Sequence, residues 1–379
     1  MNQNPRSYLS LFLPGRDHRW LISLTLTTAG GRRTFTLQCW DLTNSPNCIA
    51  RRTLSDFRGF RINTDPFHAA ALALRSSNGL EILEIEFSAS DPDSGFVTLQ
   101  ALVDVHESLH VFSGSTLLTK FGDRDTQLHI RCLENPDVPV ELRNPSHNEP
   151  KECVDAIVTD KYAVVVRTAT LEFYSLSSIR AGSGAHVIEP IASHTWQWRV
   201  DSVSMAYQPS WEAAARATEP PINILVRYAS LFPWPVNALH HYVLPCDDSY
   251  DPQDPIDGCN RPYCTEAILI RTFASPIRLF ARWDMVLRFL RDGVVGRFPY
   301  GGLLRSRGWR GRDLLGLFSQ PSSLAWKSSP LNDQGISAVA SMVYQVREDD
   351  RWVRIAIQEQ EGKIAVGTST AEITIFQYI

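Results

Sequence analysis

VDAIVTDKYAVVVRTATLEFYSL, Val154 to Leu176, reads as three consecutive β-strands, and it decides the fold. Val154–Val158, Tyr162–Thr168 and Thr170–Leu176 are rich in β-branched and aromatic residues, and Thr159-Asp160-Lys161 supplies turn chemistry between the first two. The C-terminus repeats the last two strands as KIAVGTSTAEITIFQYI, Lys363 to Ile379. Ala70–Phe87 is a third copy, turning through Ser76-Ser77-Asn78-Gly79, and Trp20–Leu42 a fourth, turning through Ala29-Gly30-Gly31. Aligned on Trp40, Ile85, Cys132 and Tyr174, the outgoing strands recur at intervals of 45, 47 and 42 residues. Blades of a β-propeller recur every roughly 40–50 residues. Tyr242, Arg297 and Gln377 follow at 68, 55 and 80 residues, intervals that leave room for inserted loops. The expectation is an all-β chain, a single β-propeller domain over residues 1–379 with seven four-stranded blades.

Other short runs fit that frame, among them Phe67–Arg75, Phe96–Val103, Leu109–Phe121, Ser202–Tyr207 and Ile222–Tyr228. Helical periodicity is confined to Trp211–Thr218 and Ile277–Leu290. Inserted loops are expected near residues 180–221, 246–264 and 301–335. Ring closure is expected to join Tyr8–Leu13 to the last blade, whose final strand runs to Ile379.

Composition narrows the class. The 379 residues are 44% hydrophobic and 21% charged, ordinary globular usage, with 37 Lys and Arg against 41 Asp and Glu for a net charge of −4. That balance argues against a general nucleic-acid binder. The longest apolar runs, such as Ala69–Leu74, are far shorter than the roughly 20 residues of a membrane helix. Met1–Gly15 has no apolar segment leading to a small-residue cleavage site, so a signal peptide is not expected. Seven cysteines, an odd number spread along the chain, do not form a secreted disulfide framework, and reduced residues in a cytoplasmic or nuclear protein are expected.

Few residues suggest chemistry. Asp247, Asp248, Asp251, Asp254 and Asp257 share a loop with Cys246, Cys259 and Cys264. Calcium loops need oxygens at alternate positions and zinc needs close Cys or His pairs; neither spacing is present, and a solvated blade-to-blade loop is expected. Trp196 and Trp198 alternate, which places both on one face of a strand in core or inter-blade packing. His240 and His241 point to opposite faces, one buried and one exposed. Arg305, Arg307, Trp309 and Arg310 fall in the Gly- and Arg-rich segment RSRGWRGR, and Arg and Trp dominate interaction hot spots. These four are the candidate protein-binding residues. There is no Gly-x-Ser-x-Gly and no glycine-rich phosphate loop, so no catalytic residue, cofactor or metal is assigned and a non-enzymatic chain is expected.

The Trp40-Asp41-Leu42 ending of an outgoing strand resembles the third-strand ending of WD-type repeats. Lys363–Thr368 followed by Ile373-Thr374-Ile375-Phe376 is similar to the closing blade of WD-like propellers. The chain as a whole looks like the WD-like propeller region of F-box proteins from mushroom-forming fungi, with the F-box itself absent: strand-like sequence starts by about Tyr8–Leu13. Most blades also lack the Trp-Asp ending, and the Gly-His pair of WD repeats is missing. The resemblance implies a platform for protein partners, the substrate-recognition part of an SCF-type ubiquitin ligase if an F-box lies upstream. The alternative from a different class is a propeller hydrolase or carbohydrate-binding protein acting through the channel mouth, marked by three or more acidic or aromatic side chains converging there.

Overall fold

The computed structural model describes residues 6–15, 19–43, 46–88, 91–122, 126–143, 151–180, 186–207, 219–229, 237–275, 352–358, 363–368 and 373–377. The first sheet is β1 (Arg6–Phe12), β2 (Trp20–Ala29), β3 (Arg32–Asp41) and β4 (Asn47–Leu54). The second is β5 (Gly59–Ile62), β6 (Ala70–Ser76), β7 (Gly79–Ile85) and β8 (Phe96–Val103). The third begins with β9 (Ser108–Ser113), β10 (Thr116–Phe121), β11 (Gln127–Cys132) and β12 (Asn135–Leu142). Next come β13 (Cys153–Val158), β14 (Tyr162–Arg167), β15 (Thr170–Ser175), β16 (Val187–Ile188) and β17 (Ala192–Thr195). The fifth sheet is β18 (Val200–Tyr207), β19 (Ile222–Tyr228), β20 (Asn237–Leu244) and β21 (Ile268–Ser275), and the last described one is β22 (Trp352–Gln358), β23 (Lys363–Thr368) and β24 (Ile373–Gln377).

Apart from β16, each sheet is an antiparallel meander in chain order, and first strands of successive sheets lie side by side: β5 against β9, β9 against β13, β13 against β18. Consecutive meanders packed through their innermost strands are the blades of a propeller, as expected. The residues on which the repeat was aligned, Trp40, Ile85, Cys132, Tyr174, Tyr242 and Gln377, all fall on the third strand of their sheet. Arg297, the marker of the remaining blade, lies outside the described residues, as do both helical candidates.

Closure comes from packing. β1 pairs with β2 in its own sheet and lies beside β22, while Ile375 of β24 packs on Phe12 and Leu21. No strand of the first sheet hydrogen-bonds to the last among the described residues. Between blades the core is apolar: Leu24, Leu37, Leu72 and Leu83 join the first two, and Val164, Val166, Ile224 and Val226 join the fourth and fifth. Fully burying such a side chain stabilises by about 1.5–3 kcal/mol, which is why the continuous apolar runs of β6, β14 and β19 become strands buried between neighbouring sheets.

Three local readings are revised. Leu109–Phe121 is two strands, because Gly114 takes φ +55 and turns β9 into β10. The strand expected from Phe67 begins at Ala70, leaving Phe67 in the preceding loop. Residues 186–195 do not form a simple insertion: β16 adds a parallel strand to the outer edge of the third sheet, and β17 returns as the fourth strand of its own.

Candidate functional site

In a four-stranded meander the first-to-second and third-to-fourth connections leave one end and the others leave the opposite end, so the ring has two distinct faces. On the first face the inner loops touch. Pro66 lies against Gly15 of the first blade, so closely that a Cβ at Gly15 would overlap it. Gly114 is flanked by the carboxylates of Asp65 and Asp160 from the blades on either side. Lys161 Nζ reaches Pro252 O at 3.5 Å.

Asn63 builds the centre of this rim. Its side chain, 2% exposed, donates to Ala70 O and Gly114 O at 2.9 Å each, and accepts from Gly114 N at 2.8 Å and Asp65 N at 3.0 Å. Asp65 in turn accepts from Phe67 N at 2.9 Å, His68 Nδ1 accepts from Ala70 N at 3.1 Å, and Thr64 N donates to Phe112 O at 2.9 Å. The loop is thus stitched across three blades while the Phe67 ring stands 95% exposed.

The acidic loop belongs to the same face, as the third-to-fourth connection of the fifth blade. It was expected to be a solvated link between blades; instead it is folded within one. Asp247, Asp251 and Asp257 each accept from backbone N–H groups just downstream, and Asn260 Nδ2 donates to Asp251 O, Asp254 O and Pro255 O. Its far end drives Ile256 and Tyr263 into the core against Tyr162 and Phe173. Tyr263 donates to Pro220 O at 2.9 Å, Tyr162 donates to Glu219 Oε2 at 3.2 Å, and the Cys246 thiol donates to Glu219 O at 2.8 Å. Burial raises the pKa of Glu219, which the Tyr162 hydroxyl and Lys161 only partly offset. Alternating Asp and Pro gave no sign of a core anchor; Tyr263 was the residue that could have given one.

Charge is divided between the faces. Among the described residues Glu86, Asp91, Asp160, Asp248 and Asp254 are exposed on the first, where Lys161 is the exposed cation and Arg19 and Arg261 are half-buried. The opposite face mixes Arg32, Arg33, Arg58 and Arg199 with Asp104, Glu152 and Asp201.

Buried polar groups mostly tie second strands to third strands. Trp40 Nε1 donates to Ser23 Oγ at 2.9 Å in the first blade, and His241 Nε2 lies 2.9 Å from Asn223 Oδ1 in the fifth. In the third, Glu107 receives Arg131 Nε at 3.0 Å and Nη2 at 2.9 Å, with His129 Nδ1 at 2.7 Å. Burial opposes its charge, but bonds from His129, Arg131 and Thr119 overcome that and lower its pKa to about 2. In the fourth, Arg167 and Glu172 are both 0% exposed at 2.7 Å, and Arg167 also donates to Thr126 O, Lys151 O and Leu142 O. These groups satisfy one another, which is what buried charges require to be tolerated.

Among the described residues, the thiol–imidazole pair of Cys153 and His110 is disarmed. Cys153 Sγ lies 3.5 Å from His110 Nε2, but burial pushes the thiol up to about 12, and burial with Lys120 and Arg61 holds the imidazole well below its usual range. A nucleophilic pair needs the reverse of both shifts. Among the described residues no three His, Cys, Asp or Glu side chains come together to hold a metal ion.

Arg305, Arg307, Trp309 and Arg310 lie outside the described residues. Trp196 and Trp198 do not share a face: β17 ends at Thr195, so alternation stops, leaving Trp196 4% exposed and Trp198 53% exposed with its edge on Tyr228. His241 is buried and His240 half-buried, as their adjacency requires. Phe67 and the Asn63 clamp went unread in the sequence, because Asn63-Thr64-Asp65-Pro66 reads only as a turn.

No protein-family profile matches the chain, and no curated protein is similar to it in sequence. Among solved structures it is similar to Chaetomium thermophilum Sqt1, at 10% identity over 99% of this chain and 96% of that one, with a TM-score of 0.47. It is also similar to the WD40 domain of SCAP from fission yeast, at 11% identity over 64% of this chain and 63% of that one, TM-score 0.39. A functionally unknown protein from Desulfotomaculum acetoxidans follows at 12% identity over 69% and 75%, TM-score 0.38. The propeller assignment rests on the strand order and blade packing described above. Among the described residues no helix is long and apolar enough to cross a membrane.

Proposed function

We propose that this chain is a non-enzymatic protein-interaction platform, the substrate-recognition propeller of an F-box, SCF-type ubiquitin ligase. The observation that carries the platform reading is the rim of the first face. There a fully exposed aromatic ring stands on a loop fixed across three blades, and an exposed apolar group on rigid backbone favours binding because little ordering entropy remains to be lost. The disarmed Cys153–His110 pair and the mutually satisfied buried charges support a structural role for the ionisable core. The ligase assignment adds the sequence resemblance. The hydrolase or carbohydrate-binding alternative asks for three converging acidic or aromatic groups at the channel mouth; Asp65 and Asp160 meet there over Gly114, and the platform reading is preferred.

In this reading Arg305, Arg307, Trp309 and Arg310 form a second contact with the partner. The test is the 5′ end of the native transcript. An in-frame, leucine-rich F-box segment upstream of Met1, whose product binds the ligase adaptor, is the expected result. A transcript that starts at Met1 would remove the ligase assignment.

A further inference from the structure

We propose that the first face, with Phe67 as its anchor, docks a lysine- and arginine-rich segment of a partner protein that also carries apolar side chains. This inference rests on the platform reading and names the chemistry of the partner.

Three observations lead to it. First, Phe67 is 95% exposed, although the residues before it are tied to neighbouring blades by the Asn63 side chain, the Thr64 amide and Pro66. The backbone beneath the ring is held in place, with Pro66 against Gly15 and Asn63 bonded to Gly114. A large aromatic presented in this way is the side chain that a partner buries. Second, the surface around it is anionic. Asp160 lies beside Gly114 on the same rim, Glu86 and Asp91 lie on the same blade as Phe67, and Asp248 and Asp254 project from the folded loop of the fifth. Among the described residues the opposite face lacks this bias. Such a field steers and orients a cationic segment and repels an anionic one. Third, Glu219 adds a further carboxylate to the same face, half-buried and hydrogen-bonded to the Tyr162 hydroxyl.

The experiment uses the full chain and three labelled 15-residue synthetic peptides: Lys/Leu-rich, Lys/Gly-rich and Glu/Leu-rich. Binding is read by fluorescence anisotropy at low and at physiological salt. The Lys/Leu peptide is expected to bind, Phe67→Ser to weaken it by about tenfold, and Trp198→Ser on the opposite face to leave it unchanged. Added salt should weaken the wild type and Phe67→Ser alike. Both substitutions alter exposed rings, and unchanged thermal melts confirm that the variants are folded. Equal binding of the Lys/Gly peptide, equal binding of the Glu/Leu peptide, no binding at all, or indifference to Phe67→Ser would each overturn the proposal. So would concentration-dependent self-association in sedimentation that Phe67→Ser abolishes, since the occupant would then be a second copy of the chain. None of these outcomes bears on the transcript test, so the ligase reading fails or stands separately.

Discussion

Asn63 shows how much one short polar side chain can organise. A turn asparagine is ordinary, yet here all of its hydrogen-bonding capacity is used inside the protein, between two blades. Asn63→Ala leaves the Gly114 amide and two carbonyls without partners in a buried site, and should cost about 2–3 kcal/mol. Urea unfolding reads this as a lower midpoint at unchanged slope; an unchanged midpoint would contradict the clamp. Glu107 makes a pH-dependent contribution. Its folded pKa is lowered to about 2 from an ordinary 4.5, so its stabilisation is complete above about pH 4.5 and is lost as the pH falls towards 2. Melting temperatures between pH 6 and pH 2.5 should fall less steeply in Glu107→Gln than in the wild type. Parallel curves would show that the Arg131 and His129 contacts do not hold the carboxylate in its ionised form.

The elements divide into those that sequence could reveal and those it could not. Strands β6, β14, β15 and β19 face a neighbouring blade on both sides or nearly so, and their Val, Leu and Ala runs announce it. Two outer strands, unlike β8, were missed for the same physical reason in reverse. β4 (NCIARRTL) has exposed arginines, and β12 (NPDVPVEL) carries two prolines, which an outer strand tolerates where its N–H groups need no partner. WD-type signatures are hard to see because the polar link between second and third strands changes from blade to blade: Ser23–Trp40, Arg167–Glu172 and Asn223–His241 bond directly, whereas in the third blade Glu107, just ahead of β9, joins Thr119 to Arg131. The acidic face was invisible for another reason, since its charges come from loops far apart in sequence. One hairpin can be tested directly. Gly79 opens β7 at φ +138, and a Cβ there would lie 2.0 Å from Leu102 O in β8. Gly79→Ala should therefore destabilise by about 1–3 kcal/mol through backbone strain and displacement of β8. A variant as stable as the wild type in chemical unfolding would mean that the β7–β8 approach is looser.

At the scale of the whole molecule, closing the ring protects the edges and fixes the faces. An open ring would leave the inner strands of the first and last blades exposed to pairing with other chains. The closing contact is small, Ile375 against Phe12 and Leu21 with β1 beside β22, and it holds the two ends of the sequence together. Everything proposed for the first face depends on it, because the rim around Phe67 begins with Gly15, directly after β1. The most direct measurement is the melting temperature of the chain truncated after Ala371, which removes β24. The closed propeller predicts a clearly lower melting temperature and a greater tendency to associate, as the inner surface of the first blade loses its cover. A truncated chain that melts at the wild-type temperature and stays monomeric would contradict the closed ring.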